Sequence, residues 1–538
     1  RVLRQHRVIR VDESGRGHLV HEEHLRINHV IAARAYAEIG VPEDAHHPII
    51  GIEKPDGTWV KPLDIQEKGT YSLPTLAVGD VIVVRYIRPL NVDKGITNYA
   101  TPKFRLELPY APVDVSQITF IEPLELNWRL TSTLDTLSET TVQHESHRTR
   151  QVTQTELGRL WQERKGPGLP FNGAFVRWHS EAMSSSHLAR QAEVFVGQRS
   201  RNFPWARGLC SDGQFDQAKQ AALMHTLGVW MHEPSGQRLS PLDLSATLSR
   251  CLTQLNVNHK VVLLAPWASQ PIKQPLIIDA YSHPVMILDN DLLWDAVGHQ
   301  TPVGMVPYTL RNTDGLTLYP FNQLSESYQT PSVITQTDQR KIKLTLRKAS
   351  DDRIVGAVVD TLHGQEAYAM RRYIRDGDQT ALTQYTRALM GQFSSLAQFE
   401  SASITRMEAN LFQVQYQFSV AQLEHLQLMS FAQQPATKLA QDLARKTTLF
   451  IDKPINQEIA ILLDASLGHF KSVEYDERFD DNRFSMAVSA NQQQINTVLQ
   501  IPRQKISADK YDDFKHWCQG VEERESIAIA AEQKQGDR

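Results

Sequence analysis

The residues best suited to chemistry in this sequence are a histidine, an aspartate and a cysteine. His283 opens the apolar run His283-Pro-Val-Met-Ile287, and Asp295 ends a second short run, Leu292-Leu-Trp-Asp295. The turn residues between the two runs predict a hairpin that would bring both side chains to neighbouring strands. An imidazole oriented by a carboxylate can serve as the general base that activates a thiol nucleophile. The pair therefore predicts a thiol site that still needs its nucleophile.

Cys210 is one candidate for that nucleophile. It lies in Gly208-Leu-Cys-Ser-Asp212, directly before a helix predicted over 212–227, and the positive end of a helix lowers the pKa of a thiol. The alternative is an unreactive thiol in a loop or partly buried. Cys251 and Cys518 fall on the apolar faces of predicted helices and are expected in the core.

The element that would position the site begins at Ser240-Pro241-Leu242-Asp243. Serine is a good N-cap, proline suits the first helical position, and Asp243 complements the positive helix end. A strand is predicted at 260–264, followed by the hairpin that carries His283 and Asp295. One face of the helix is apolar, because apolar residues recur at helical spacing at Leu244, Leu248, Cys251, Leu252 and Leu255.

A helix, a strand and a hairpin in this order resemble the transglutaminase-like core of bacterial multidomain envelope proteins. In that family a Gly-Asp-Cys motif opens the helix and supplies the nucleophile. Pro241 stands in the place of that cysteine, while His283 and Asp295 fall where the histidine and aspartate of the family lie. The segment Gly304-Met-Val-Pro307 resembles the usual continuation. The resemblance implies a degenerate site, because proline has no nucleophile and no ionisable group.

The regions on either side complete an α+β multidomain prediction. Residues 1–135 read as a β-sandwich, and Leu73-Pro-Thr-Leu-Ala-Val-Gly-Asp-Val-Ile82 resembles the β-rich domain of unknown function that precedes such cores. Residues 136–318 are predicted to be a papain/transglutaminase-like α+β core, entered through a polar linker at 131–155. Residues 319–538 are predicted to be β-rich, with a helical insert at 365–398.

Metal and cofactor sites are not predicted. The motif His21-Glu-Glu-His24 lies on a predicted strand, where positions 21 and 24 point to opposite faces, so these histidines are expected to be ordinary strand residues. No phosphate-binding loop or dinucleotide fingerprint occurs in the sequence. Three cysteines cannot form a disulfide framework, and they leave the redox compartment open.

Composition limits the partners. The net charge is −4, and the 57 basic and 61 acidic side chains are spread along the chain, so nucleic acid is not expected as a partner. No apolar run approaches the roughly 20 residues of a transmembrane helix. The sequence starts at Arg1 within a predicted strand, from which we expect a processed or truncated N-terminus. The family resemblance implies the bacterial periplasm or cell surface.

Two functions of different class follow. The first is a non-catalytic, transglutaminase-like scaffold or binding protein whose partners are other proteins of a larger envelope complex. The second is a cysteine-dependent acyl transferase or protease that uses Cys210 with a histidine such as His283. The state of Cys210 and the surroundings of Pro241 distinguish the two.

Overall fold

The architecture comes from a computed structural model, which is mixed α/β and rich in strands. The residues that it describes are 1–14, 16–65, 69–91, 93–94, 99–126, 128–134, 137–160, 163–166, 173–179, 183–200, 208–211, 214–231, 240–265, 281–324, 326–331, 338–349, 353–374, 378–393, 396–408, 410–421, 438–467, 469–470, 475–481, 484–491, 493–527 and 531–532.

The described residues of the N-terminal region form strands and a short helix. Its strands are β1 Val2–Val11, β2 Arg16–Arg26, β3 Glu38–Gly40, β4 His46–Glu53, β5 Trp59–Val60, β6 Leu63–Ile65, β7 Thr70–Ser72, β8 Val81–Asn91, β9 Asp93–Lys94, β10 Tyr99–Ala100, β11 Phe104–Arg105, β12 Val113–Pro123, β13 Arg129–Ser132, β14 Glu139–Gln143, β15 His147–Leu157 and β16 Phe175–His179; helix α1 spans Val30–Ala35.

Within the described residues, eight of these strands form one sheet in the order β14-β15-β12-β1-β2-β8-β4-β5. A second sheet contains β9, β10, β11, β13 and β16. The two sheets share one hydrophobic cluster, to which the first contributes Ile9 and Phe120 and the second contributes Phe104, Val176 and Trp178. They therefore bury their apolar faces against each other.

The polar segment at 131–155 is not a linker, contrary to the sequence prediction. Most of it forms β14 and β15, and β15 pairs with β12 from Val113↔Leu157 to Pro123↔His147. The Ser, Thr and Gln residues lie on an edge hairpin whose outer face is exposed, which is why their composition resembles a linker. The first sheet thus continues beyond residue 135.

In the part of the chain that the structure describes, helices and a third sheet follow. Helices α2 Met183–Ser200, α3 Gln217–Met231 and α4 Pro241–Gln254 precede strands β17 His259–Leu264, β18 His283–Leu288, β19 Leu292–Trp294, β20 Asp314–Tyr319 and β21 Ser327–Gln329. Among the described residues the sheet order is β19-β18-β17-β20-β21, all antiparallel. This sheet extends past residue 318, where the sequence placed a boundary.

Helix α4 has the start that the sequence predicted. The Ser240 hydroxyl accepts from the Asp243 amide at 3.1 Å, the Asp243 carboxylate accepts from the Ser240 amide at 3.1 Å, and Pro241 occupies the first turn. These bonds satisfy amides that have no partner within the helix. The apolar face of α4 packs on β17 and β18, with Leu244, Leu248 and Leu252 in the same cluster as Val261 and Met286.

The start of α4 lies at the same end of the sheet as His283. The helix ends beside the beginning of β17, where the Ser249 hydroxyl is 2.7 Å from His259 Nε2. Strand β17 then runs back along the helix, and its last residue, Leu264, pairs with His283. The predicted helix packed on a sheet that carries His283 is therefore confirmed.

The C-terminal region is built on a further sheet. Its strands are β22 Arg340–Lys348, β23 Ile354–His363, β24 Gln398–Glu408, β25 Leu411–Val420, β26 Leu449–Ile451, β27 Ile455–Leu463, β28 His469–Phe470, β29 Tyr475–Asp481, β30 Phe484–Ala490, β31 Gln494–Ile501, β32 Gln504–Ile506 and β33 Ala531–Glu532, and its helices are α5 Gln365–Tyr373, α6 Gln379–Phe393 and α7 Tyr511–Ile527.

In the described part of this region, eight strands are ordered β24-β25-β23-β22-β27-β31-β30-β29. One hydrophobic cluster joins this sheet to the helices, with Leu344 from β22, Leu382 from α6 and Phe514 from α7. Strand β24 was not predicted, because its exposed edge position removes the apolar alternation that marks a strand. No described helix is both long and apolar enough to cross a bilayer.

Cys210 and Cys251 form a disulfide, which the cysteine count did not predict. The bond joins the segment at 208–210 to the buried face of α4, across 41 residues of sequence. Closing a loop of this length stabilises a fold by about 4 kcal/mol in the chain-entropy model. Cys518 is the remaining cysteine and is a buried, unpaired thiol.

The disulfide predicts how many thiols can be alkylated. In denaturant without reductant, iodoacetamide should modify one cysteine per chain, Cys518, and after reduction it should modify all three. Intact-mass spectrometry of the two samples measures this count. Modification of three cysteines before reduction, in protein purified under oxidising conditions, would contradict the disulfide.

Candidate functional site

His283 and Asp295 are hydrogen bonded at the end of the third sheet. Nε2 of His283 donates to Oδ2 of Asp295 at 2.9 Å. The hairpin brings them together: Met286 pairs with Trp294, so Asp295, one residue further on, lies diagonal to His283 at the start of β18. The spacing of 12 residues is therefore compatible with direct contact.

His299 is a third member of this site that the sequence analysis missed. Its Nδ1 donates to the same oxygen, Oδ2 of Asp295, at 2.6 Å. On the other side of the ring, Nε2 of His299 is 3.1 Å from the Thr309 hydroxyl. The sequence motif Asp295-Ala-Val-Gly-His299 could have predicted this contact. In a turn that begins with an aspartate, the residue four positions later can lie beside the aspartate's carboxylate. We call His283, Asp295 and His299 the His–Asp–His cluster.

The carboxylate of Asp295 is completely buried and accepts four hydrogen bonds. Besides the two imidazoles, the Gly298 amide donates to Oδ1 at 2.8 Å and the His299 amide donates to Oδ2 at 3.0 Å. Burial by itself would raise the pKa of Asp295, but the hydrogen bonds and charges of His283 and His299 outweigh it. The pKa of Asp295 is consequently held well below its ordinary value, so the group is a carboxylate.

Gly298 makes room for the His283 ring. A Cβ on this glycine would lie 2.2 Å from Cε1 and 2.6 Å from Nε2 of His283. Any other residue would therefore displace the imidazole from Asp295. The solvent side of the cluster is formed by the imidazoles, whose side chains are 18% exposed for His283 and 36% exposed for His299.

Helix α5 of the C-terminal region holds the backbone that carries His299. Arg372 donates to the His299 carbonyl at 2.9 Å and to Oε1 of Gln300 at 2.6 Å. Tyr368 donates its hydroxyl proton to the Gln300 carbonyl at 2.5 Å. The position of His299 therefore depends on an element about 70 residues further along the chain, with sequence separations of 68 and 73 for these bonds.

The structure brings together some of the predicted site residues and not others. His283 and Asp295 are in contact, and Pro241 lies at the same end of the sheet, at the first position of α4. Cys210 is not available as a thiolate, because it is bonded to Cys251 and is only 1% exposed. A nucleophilic role for Cys210 would first require that this disulfide be reduced.

The N-terminal histidines belong to different environments. His21 stacks on Tyr86 with ring centroids 4.9 Å apart, and burial together with the charge of Arg7 lowers the pKa of His21 to about 4. His24 is paired with Glu22, from Nε2 to Oε1 at 3.1 Å. His21 and His24 therefore lie on opposite faces of β2, as the sequence predicted.

The fold resembles a solved structure along nearly its whole length. That structure is the crystal structure of a protein from Parabacteroides distasonis described as a "putative protease"; the TM-score is 0.62, the sequence identity is 9%, and the alignment covers 98% of this chain and 97% of that chain. No protein-family model and no curated protein matches this chain. At this identity the likeness shows a shared fold and leaves the activity open.

The buried carboxylate predicts a large effect of Asp295→Asn on stability. An amide cannot accept from both imidazoles and both backbone amides, so we expect a loss of about 3 kcal/mol or more in the free energy of unfolding at pH 7. Because the pKa of Asp295 is lowered by folding, its contribution is complete above the unfolded pKa of about 3.9 and decreases as the pH falls below it.

Urea unfolding of both proteins at pH 7 and at lower pH measures this difference. The matched control is Asp291→Asn, an exposed position in the same hairpin, for which we expect a change of less than about 0.5 kcal/mol. Equal effects of the two substitutions would contradict the role given to the buried carboxylate.

Proposed function

We propose that this chain is a non-catalytic, transglutaminase-like scaffold or binding protein of a bacterial envelope assembly. The observation that carries the proposal is Pro241. It occupies the first position of a well-capped helix, at the end of the sheet where a hydrogen-bonded His–Asp pair lies. A thiol enzyme of this layout needs a nucleophile at that helix end, and proline has none.

The other cysteines do not replace the missing nucleophile. Cys210 and Cys251 are joined in a disulfide, and Cys518 is completely buried on α7, where burial raises the pKa of its thiol. A thiol that attacks a substrate must be accessible and ionised near neutral pH. None of the three cysteines meets both conditions in this structure.

The proposed arrangement has three parts. An N-terminal β-sandwich is supported by the hydrophobic cluster that joins the first two sheets, and a transglutaminase-like core by the cluster between α4 and the third sheet. A C-terminal β-rich part with a helical insert is supported by the hydrophobic cluster that joins its sheet to its helices. Because β15 and β16 belong to the sandwich sheets, we place the first boundary near residue 180.

The proposed location is the bacterial periplasm or cell surface. The Cys210–Cys251 disulfide supports it, because structural disulfides persist in oxidising compartments and are rare in the cytosol. The resemblance of the sequence to envelope proteins points the same way.

The proposed partners are other proteins, bound in part through a sheet edge. An extended partner segment can add a strand to an exposed edge through backbone hydrogen bonds. Strand β24 is a poor edge for this, since its pairing with β25 is interrupted at Phe399/Ser401 and at Ile404/Arg406, and bulges hinder edge pairing. Strand β14, at the edge of the first sheet, pairs with β15 without interruption and is largely exposed, so we favour it.

The second candidate is a cysteine-dependent acyl transferase or protease that uses Cys210. The similarity to a protein described as a "putative protease" agrees with it at the level of fold alone. A peptidase or acyl-transfer activity that appears on reduction and is abolished by Cys210→Ser would favour this candidate. The disulfide is the observation against it.

Restoring the thiol tests whether Pro241 replaces a nucleophile. In Pro241→Cys, the helix end and the nearby imidazole should stabilise the thiolate, so iodoacetamide at pH 6 should label the introduced thiol at least about tenfold faster than a thiol of ordinary pKa, about 8.5. The other cysteines do not interfere, because two are oxidised and Cys518 is buried. The cost to stability should be small, about 0.4–1 kcal/mol.

The control adds His283→Gln to the same variant. Glutamine keeps an N–H that can donate to Asp295 but removes the basic imidazole, so the labelling rate should decrease. A rate that is ordinary and unaffected by the second substitution would show that Pro241 does not lie in the nucleophile's place.

A further inference from the structure

The His–Asp–His cluster has the composition of a metal site. His283, Asp295 and His299 each offer one ligand atom, and these atoms lie within 4.8 Å of one another. The contacts already made are those of His283 Nε2 and His299 Nδ1 with Asp295 Oδ2. We propose that these three atoms bind a divalent transition-metal ion of the zinc type, with a fourth position open to solvent. This inference goes beyond the proposed function and does not depend on it, since a scaffold or an enzyme can hold such an ion.

The ligand types decide the class of metal. Two imidazole nitrogens and one carboxylate oxygen suit zinc and its neighbours, whereas calcium and magnesium prefer sites made of oxygen alone. Three protein ligands with one open position are also the usual number for zinc sites that admit water or a small ligand. The partial exposure of His283 and His299 provides the solvent side for that position.

The ligand atoms must move by small amounts to reach zinc distances. Ligands about 2.0–2.1 Å from a tetrahedral zinc ion are about 3.3 Å apart. The present separations from Asp295 Oδ2 are 2.9 Å for His283 and 2.6 Å for His299, which are hydrogen-bond lengths. Binding must therefore lengthen these two separations by about 0.4–0.7 Å and bring the two imidazole nitrogens, which lie within 4.8 Å of each other, to about 3.3 Å.

The surroundings can support the metal-bound state. To bind metal through Nδ1, the His299 ring must carry its proton on Nε2, and the Thr309 hydroxyl 3.1 Å away can accept it. Oδ1 of Asp295 remains fixed by the Gly298 amide while Oδ2 turns to the metal. Hydrogen bonds of this kind from the outer side of the ligands orient metal-binding histidines and carboxylates in proteins.

The test uses the full, untagged chain after treatment with a chelator. Titration with Zn²⁺ in competition with a chromogenic chelator should show one tight equivalent per chain, and Co²⁺ should give the visible absorption of a tetrahedral site. The matched variants are His299→Asn and His283→Gln, whose amides place a donor N–H where Nδ1 and Nε2 lie but are poor zinc ligands. Each variant should retain its fold, as checked by circular dichroism.

We expect each of these two variants to lower the Zn²⁺ affinity by more than about 100-fold, and Thr309→Val to lower it by roughly 10–100-fold. The control is His225→Ala, an exposed position on α3, which should leave the affinity unchanged. The proposal is overturned if the native chain binds no equivalent of Zn²⁺, or if His299→Asn and His283→Gln bind it as tightly as the native chain does.

Discussion

The surroundings of the site depend on one buried charge, the carboxylate of Asp295. Removing a carboxylate from water costs several kcal/mol unless its oxygens are well bonded. Here the compensation comes from two backbone amides of its own turn and from the imidazoles of His283 and His299. These donors belong to the start of β18 and to the loop after β19, so the charge ties that loop to the hairpin.

The C-terminal region holds the loop that carries His299. Tyr368 and Arg372 of α5 bind the backbone at residues 299 and 300. Further along this loop, Arg503 donates to the carbonyls of Tyr308 and Arg311, and Tyr308 donates its amide to Gln365 at 2.8 Å. The loop that carries His299 is thus held between the third sheet and the C-terminal sheet.

Helix α4 is well formed although Pro241, its first residue, carries no reactive group. Proline at the first helical position removes no hydrogen bond, because an amide at this position has no partner within the helix. Its ring also fixes φ near the helical value. The cap formed by Ser240 and Asp243 and the disulfide to Cys210 stabilise the helix further. Proline at this position therefore costs the fold little.

Local patterns in the sequence determined much of this structure. Capping residues, apolar periodicity and turn residues act between near neighbours in the sequence. They predicted the start of α4, strand β17, the hairpin with His283 and Asp295, and most C-terminal strands. Tertiary structure alone decided the rest. The hairpin at 139–157 joins a sheet through pairing with β12, the Cys210–Cys251 bond spans distant segments, and α5 holds the loop that carries His299. These features depend on contacts between residues far apart in sequence, and such contacts leave no periodic pattern in the chain.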